Sequence, residues 1–288
     1  MSRPGQTALP QAFFLPADPH TPAAGQRFCL FHPAQGDKKH GRVLYLHPFA
    51  EELNATRRVV AQQARGLSAT GYAVLQVDLH GCGDSSGDFA DATWTGWLED
   101  AALAHRWLSR SADGPLWIWG MRSGALLATE LLKGLPEPAH LLLWQPVLSG
   151  QQMLQQFLRL HAAGQWLGKG KADDSSPAQR LAQGMPVEVA GYTVGPELAR
   201  GMAAARLQPT ATGEASRLIW LELSRQADAA ISPSAEKELA AWRHAGWNTV
   251  AQALAVPTFW QTVGNENATA LIRATLACMA ADVGRCTP

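Results

Sequence analysis

The feature that most constrains this chain is an alternation between short, almost wholly apolar runs and longer stretches with helical spacing. YAVLQVDL at 72–79, LWIW at 116–119, HLLLWQ at 140–145 and RLIWLEL at 217–223 are too short for core helices and are bounded by turn-forming residues. Helical spacing fills the intervals. It covers 54–70, closed by Gly71 as a C-cap, and 93–109, with Asp91 or Thr93 as its N-cap, then 125–133, 232–244 and 268–279. Strands apolar along their whole length have to be covered on both faces. A mostly parallel sheet with helices on either side does this, so the fold class is α/β. RFCLF (27–31) and RVLYLH (42–47) add strands before the first helix, and VPTFWQTV (256–263) reads as the last strand.

The alternation breaks once. From 150 to 213 a helix-like stretch over 151–167 gives way to the polar KGKADDSSPAQ and then to a mixed segment. A chain of 288 residues has the length to fold around one core and carry such an insertion. The expected organisation is a core built from 1–149 and 214–288, with 150–213 lying over the carboxyl edge of the sheet as a cap.

Composition narrows the function. Lys plus Arg and Asp plus Glu number 24 each and the formal net charge is zero, which offers no electrostatic attraction to nucleic acid or to an anionic membrane. No window approaches the ~20 apolar residues of a membrane helix. The opening MSRPGQTALPQAFFLPADPH has no apolar run of signal-peptide length. Cys29, Cys82, Cys278 and Cys286 follow neither a CxxC nor a metal-site spacing. The expectation is a reduced, cytoplasmic protein with no metal and no cofactor, acting on a small molecule.

In an open parallel sheet, ligands bind outside the carboxyl ends of the strands. The residues expected there are His47, Glu51 and Glu52, then Asp78 with the HGCGDSSG loop, then Met121, Arg122 and Ser123, and finally Asp228. LWIWGMRSGALL (116–127) turns a strand sharply into a helix between Gly120 and Gly124, the turn on which serine hydrolases mount their nucleophile. Here Arg122 takes the middle position and Ser123 comes one place later. A guanidinium stays protonated and cannot attack a carbonyl. A cation in the first turn of a helix also opposes the helix dipole by ~0.3–1 kcal/mol, so an anion is expected beside it. That anion is Glu51, Glu52 or Asp228, or a bound carboxylate or phosphate that also uses the N–H groups of the helix start. His47 is either a relocated general base, oriented by Glu51 or Asp228, or a loop histidine bonded to backbone.

These motifs resemble the α/β-hydrolase superfamily over nearly the whole chain outside the cap. DLHGCGDSSG is similar to the D-x-x-G-x-G-x-S-x-G turn of many such hydrolases, and HPFAEELN occupies the place of their HG oxyanion-loop motif. The D-x-x-x-x-P stretch beginning at Asp228 matches the loop that carries their triad acid. HPFAEELNATRR together with LHGCGDSSGDFADATW resembles more closely the exosortase A system-associated hydrolases, type 2. Those are bacterial cytoplasmic proteins tied to exopolysaccharide and protein-sorting gene clusters.

The resemblance implies an α/β-hydrolase fold with a cap, and a hydrolase or acyl-transfer activity on an ester-type bond of an acylated or saccharide metabolite. It makes Asp228 the surviving triad acid, with Ser123 and His47 as the other catalytic candidates and Arg122, Glu51, Glu52 and Met121 as ligand-binding ones. Two parts of a Ser-His-Asp triad are missing. Arg122 replaces the nucleophile, and TVGNENATALIRATLACMAADVGRCTP contains no histidine, with Gln261 or Asn265 standing near its place. The alternative is a non-catalytic homologue that binds an anionic ligand or a partner through Arg122 under the cap.

Overall fold

The computed structural model describes residues 9–165, 175–210, 216–226, 228–261 and 267–283. Strands β1 (Gln11–Pro16), β2 (Gln26–His32) and β3 (Gly41–Leu46) lead into helix α1 (Glu51–Ala69), then β4 (Tyr72–Val77) and α2 (Trp94–Ser111). Next come β5 (Leu116–Met121), α3 (Gly124–Lys133) and β6 (Ala139–Trp144). Helices α4 (Gly150–Gln165) and α5 (Pro177–Ala182), the small hairpin β7 (Val187–Val189) and β8 (Tyr192–Val194), and α6 (Pro196–Ala204) follow. Then come β9 (Arg217–Ser224), α7 (Pro233–His244), β10 (Asn248–Ala255) and α8 (Thr269–Val283).

Eight strands form one sheet in the order β1-β2-β4-β3-β5-β6-β9-β10, antiparallel at β1 and β2 and parallel from β4 onward. The apolar runs are buried on both sides because successive side chains point to opposite faces. Leu44, Ile118, Leu141, Leu143 and Trp220 enter one core, shared with α2, α3 and α7. Tyr45, Trp117, Trp119, Leu142, Trp144 and Ile219 enter the other, shared with α1 and α8. On that second face the Trp119 ring lies 4.6 Å from Trp144 and 4.5 Å from Tyr45, and Trp144 Nε1 donates to Thr275 Oγ1 of α8 at 3.0 Å.

The capping chemistry follows the sequence. Thr93 accepts from the Gly96 N–H at 2.9 Å to start α2, and Ser232 accepts from Ala235 to start α7. Three expectations need correction. QAFFLP (11–16) forms the edge strand β1, which pairs with β2 and was not anticipated. Helix α1 begins at Glu51 rather than 54, because the chain turns immediately before it at Ala50, with φ of 52°.

The last strand is also eight residues earlier than expected, over Asn248–Ala255 instead of 256–263. As an edge strand with β9 as its one neighbour, NTVAQALA buries little and carries a weak apolar signal. The louder VPTFW has Pro257, which cannot donate to a ladder, and it is buried as a loop that folds over the sheet. The residues 166–174 and 211–213 of the interrupting segment lie outside the described residues.

The β3-to-β4 connection runs to one side of β3, and β5 lies on the other side. The carboxyl ends of β3 and β5 therefore diverge, and this switch point is where an α/β sheet opens a ligand crevice.

Candidate functional site

Among the described residues four non-glycine residues have positive φ, and three of them stand at this edge: Ala50 at 52°, Arg122 at 53° and Gln145 at 41°. Such backbone costs ~1–3 kcal/mol per residue and persists where surrounding structure imposes it. At Arg122 the surroundings are visible. Its N–H donates to the Trp144 carbonyl at 3.0 Å, and its own carbonyl accepts from Ala125 and Val147. A Cβ on Gly120 would sit 2.6 Å from Ala125 Cα, and one on Gly124 would overlap the Leu46 carbonyl oxygen. The two glycines thus let α3 turn back tightly over β5 and against β3, which raises residue 122 at the top of the turn.

The side chain raised there is a guanidinium in a closed setting. Arg122 Nε lies 3.2 and 3.3 Å from the two oxygens of Glu52, and Nη2 lies 3.1 Å from Oε1. The guanidinium carbon sits 5.0 Å from the centre of the Trp260 ring, and Nη2 reaches Met153 Sδ of α4 at 3.8 Å. Arg122 therefore ties together the β5–α3 turn, the first turn of α1, α4 and the loop after β10. Glu52 is 7% exposed. Burial pushes its carboxyl above the usual carboxylate range, and the charge and hydrogen bonds of Arg122 pull it back only in part. A pair held this way sits near energetic balance, since removing two charges from water consumes most of what their attraction returns. Of the anions expected beside Arg122, Glu52 is the one the fold supplies.

Beside it, Glu51 carries a carboxyl that burial also pushes up, with Oε2 buried and without a hydrogen-bond partner among the described residues. His47 is 3% exposed and has both ring nitrogens committed. Nδ1 faces the Pro48 carbonyl at 2.8 Å, and Nε2 accepts the Leu79 N–H at 3.3 Å, which assigns the ring proton to Nδ1. Burial lowers its pKa, against the opposing charge of Asp78. A neutral ring fully used on backbone orients a loop and has no lone pair for a nucleophile, so the general-base reading of His47 gives way to the loop reading.

The other expected residues do not converge on Arg122. Ser123 is 3% exposed, adopts helical backbone and makes no side-chain cap. Met121 is fully buried in the second core, so its side chain supports the sheet and does not line a crevice. Asp228 is exposed on the loop after β9, where Glu222 does the bracing by accepting from the Ser232 N–H and hydroxyl. Among the described residues nothing links Asp228 to His47, Ser123 or Arg122. Asp78 braces the loop after β4, accepting from Arg57 at 2.9 Å and from the Asp84 N–H at 3.1 Å.

A serine–histidine–glutamate cluster does exist at the opposite, amino edge of the sheet. His105 Nε2 lies 2.9 Å from Glu137 Oε1 and 3.2 Å from Ser109 Oγ. Both partners address the same nitrogen, whereas a triad needs one on each. Among the described residues no group of three or more His, Cys, Asp or Glu is placed to hold a metal ion, and no helix is long and apolar enough to cross a membrane. Trp260 and Met153 escaped sequence reasoning. The signal for Trp260 was the VPTFW run, assigned to a strand. Gln261 follows that run, and Asn265 lies outside the described residues.

Comparison with known proteins gives the family and the fold. Residues 37–186 match the family described as serine aminopeptidase, S33, and the chain belongs to that family. Among curated relatives, the lysophosphatidylserine lipase ABHD12 of Xenopus tropicalis is 37% identical over 109 residues, which is 36% of this chain and 27% of that protein. The Gallus gallus form is 35% identical over 129 residues, 43% of this chain and 32% of that one. The chain therefore covers only about a third of the length of the relatives it matches. Of solved structures, Est1E from Butyrivibrio proteoclasticus with ferulic acid bound aligns with a TM-score of 0.63 at 14% identity, covering 91% of this chain and 97% of that one. Mouse alpha/beta hydrolase domain-containing protein 10 aligns at 0.56 and 13%, over 96% and 100% of the two chains. At such identities these show the fold alone, and it is the α/β-hydrolase fold.

Proposed function

We propose that this family member binds an anionic small molecule, carrying a carboxylate or phosphate, through Arg122 beneath residues 150–213 acting as a cap, and does not cleave esters through a serine. The observation that carries this reading is the guanidinium at the strained top of the β5–α3 turn, gripped by Glu52 and covered by Trp260. An incoming anion would take over the guanidinium fork from Glu52. Glu52, already raised by burial, would then take up a proton, so affinity should increase as the pH falls. Met153 of α4 against Arg122 supports the cap assignment.

The finer identity, an exosortase A system-associated hydrolase of type 2 in the cytoplasm, rests on HPFAEELNATRR and LHGCGDSSGDFADATW. The free thiols of Cys29, Cys82 and Cys278 agree with a reducing compartment.

A second reading, hydrolysis or acyl transfer on an ester-type bond, is favoured by one observation. The N–H groups of Ala50 and Ser123 take no acceptor among the described residues, and by the motif resemblance they stand where a hydrolase carries its oxyanion-hole donors. Two measurements separate the readings. Under the binding reading, inorganic phosphate or acetate raises the melting temperature of the wild type, more at pH 6 than at pH 8, and does nothing for Arg122→Met. The protein also stays unlabelled by a fluorophosphonate probe. Labelling that disappears in Ser123→Ala, with no anion-dependent stabilisation, would transfer the case to the hydrolase reading.

A further inference from the structure

We infer that a second crevice, between the start of α1, the loop after β4 and strand β8, is a binding site for a neutral, polyhydroxylated ligand of the sugar type. The crevice has a volume of about 450 Å³ and adjoins the first site at Ala50, but Arg122, Glu52 and Trp260 are not among the residues that line it. Its polar wall is Asn54, Arg57 and Asp84, and its apolar wall is Leu53 and Phe89, with Tyr192 belonging to both.

The charge on this wall argues against an anion. Arg57 is already matched by Asp78 at 2.9 Å, which leaves Asp84 on this wall without an ion pair among the described residues. The hydrogen-bond inventory argues for hydroxyl groups. Arg57 only donates and Asp84 only accepts, while the Asn54 amide and the Tyr192 phenol do both, so the ligand must present groups that donate and accept. A polar chain crosses the crevice from core to hairpin: Arg57 Nε donates to Asn54 Oδ1 at 3.4 Å, and Asn54 Nδ2 to Tyr192 Oη at 3.4 Å. Both links are longer than ordinary hydrogen bonds, so ligand hydroxyls at normal distance would gain more than they displace. The Phe89 and Tyr192 rings meet edge to face at 5.1 Å and offer an apolar surface to the C–H face of a pyranose. Gly83 keeps the floor open, since a Cβ there would strike Arg57 and Asp78.

Saturation-transfer NMR on the full chain tests this with glucose, galactose and N-acetylglucosamine, using glucuronate as the anionic control. At least one neutral sugar should bind, more tightly than glucuronate. Asn54→Ala and Tyr192→Ala should each weaken it at least tenfold, and Tyr192→Phe should weaken it less than Tyr192→Ala. The exposed position of Asn54 makes its truncation harmless to folding. No signal from any of the three sugars, tighter binding of glucuronate, or undiminished binding in both alanine variants would overturn the assignment.

Discussion

At the carboxyl end of the parallel strands Arg122 meets Glu52, and at the amino end Arg42 meets Glu137. The partners are chemically the same, yet their carboxyl groups are displaced in opposite directions. At Glu52 the dominant influence is burial, which outweighs a single arginine and leaves the group above its ordinary range. At Glu137 burial also pushes upward, but hydrogen bonds from Arg42 and His105, reinforced by their charges, overcome it and carry the group below that range. Glu137 is a third exposed, whereas Glu52 is almost sealed. An arginine–carboxylate pair is therefore not a fixed quantity of stabilisation. Solvent access and the number of donors decide whether it braces the fold or stands near balance, open to exchange.

The largest effect that would break this comparison is expected from Glu52→Ala. It leaves a buried guanidinium without a counter-charge and should cost about 3–5 kcal/mol. The double variant Glu52→Leu with Arg122→Met should recover most of that loss. Urea unfolding reads both, and a double variant no better than Glu52→Ala would mean the pair itself holds the mouth of the sheet together. Smaller, at about 1 kcal/mol, is the loss expected from Glu137→Gln, because that carboxylate keeps partial access to water. A loss as large as that of Glu52→Ala would show the amino-edge cluster to be the more important brace.

The smallest effect sharpens the contrast through pH. The folded pKa of Glu137 lies below its unfolded value, so its contribution is present above the ordinary glutamate range and is lost as the pH falls through the folded value. The folded pKa of Glu52 lies above its unfolded value, so its contribution is fully present below the ordinary range and is lost as the pH rises through the folded value. Between pH 7 and pH 4 the stability gap between wild type and Glu137→Gln should narrow, while that between wild type and Glu52→Gln should shift in favour of the wild type. Parallel curves for the two variants would remove the distinction.

Much of the architecture was legible because its signals are local. Apolar runs that must be covered twice, a threonine before a helix, and glycines at a sharp turn each state their own requirement, and β4, β5, β6 and β9 appeared where those signals stood. The edge strands were not, since β1 and β10 bury too little to show a pattern, whereas 256–260 shows a strong one for a different reason. Within the site, the Arg122 substitution and its need for an anion followed from the chain alone. The identity of the anion did not. Glu51, Glu52 and Asp228 were equivalent on paper, and the fold made Glu52, in the first turn of α1, the partner while Asp228 stays exposed on the loop after β9.

By itself, then, the amino-acid order determined that a parallel sheet would present a guanidinium where related folds raise a nucleophile, because backbone turns and side-chain chemistry are properties of neighbouring residues. Only the tertiary structure decided what surrounds that guanidinium. Glu52, Met153 and Trp260 come from three distant segments, and they meet Arg122 because the helices and loops that cover the two faces of one sheet converge at its carboxyl edge.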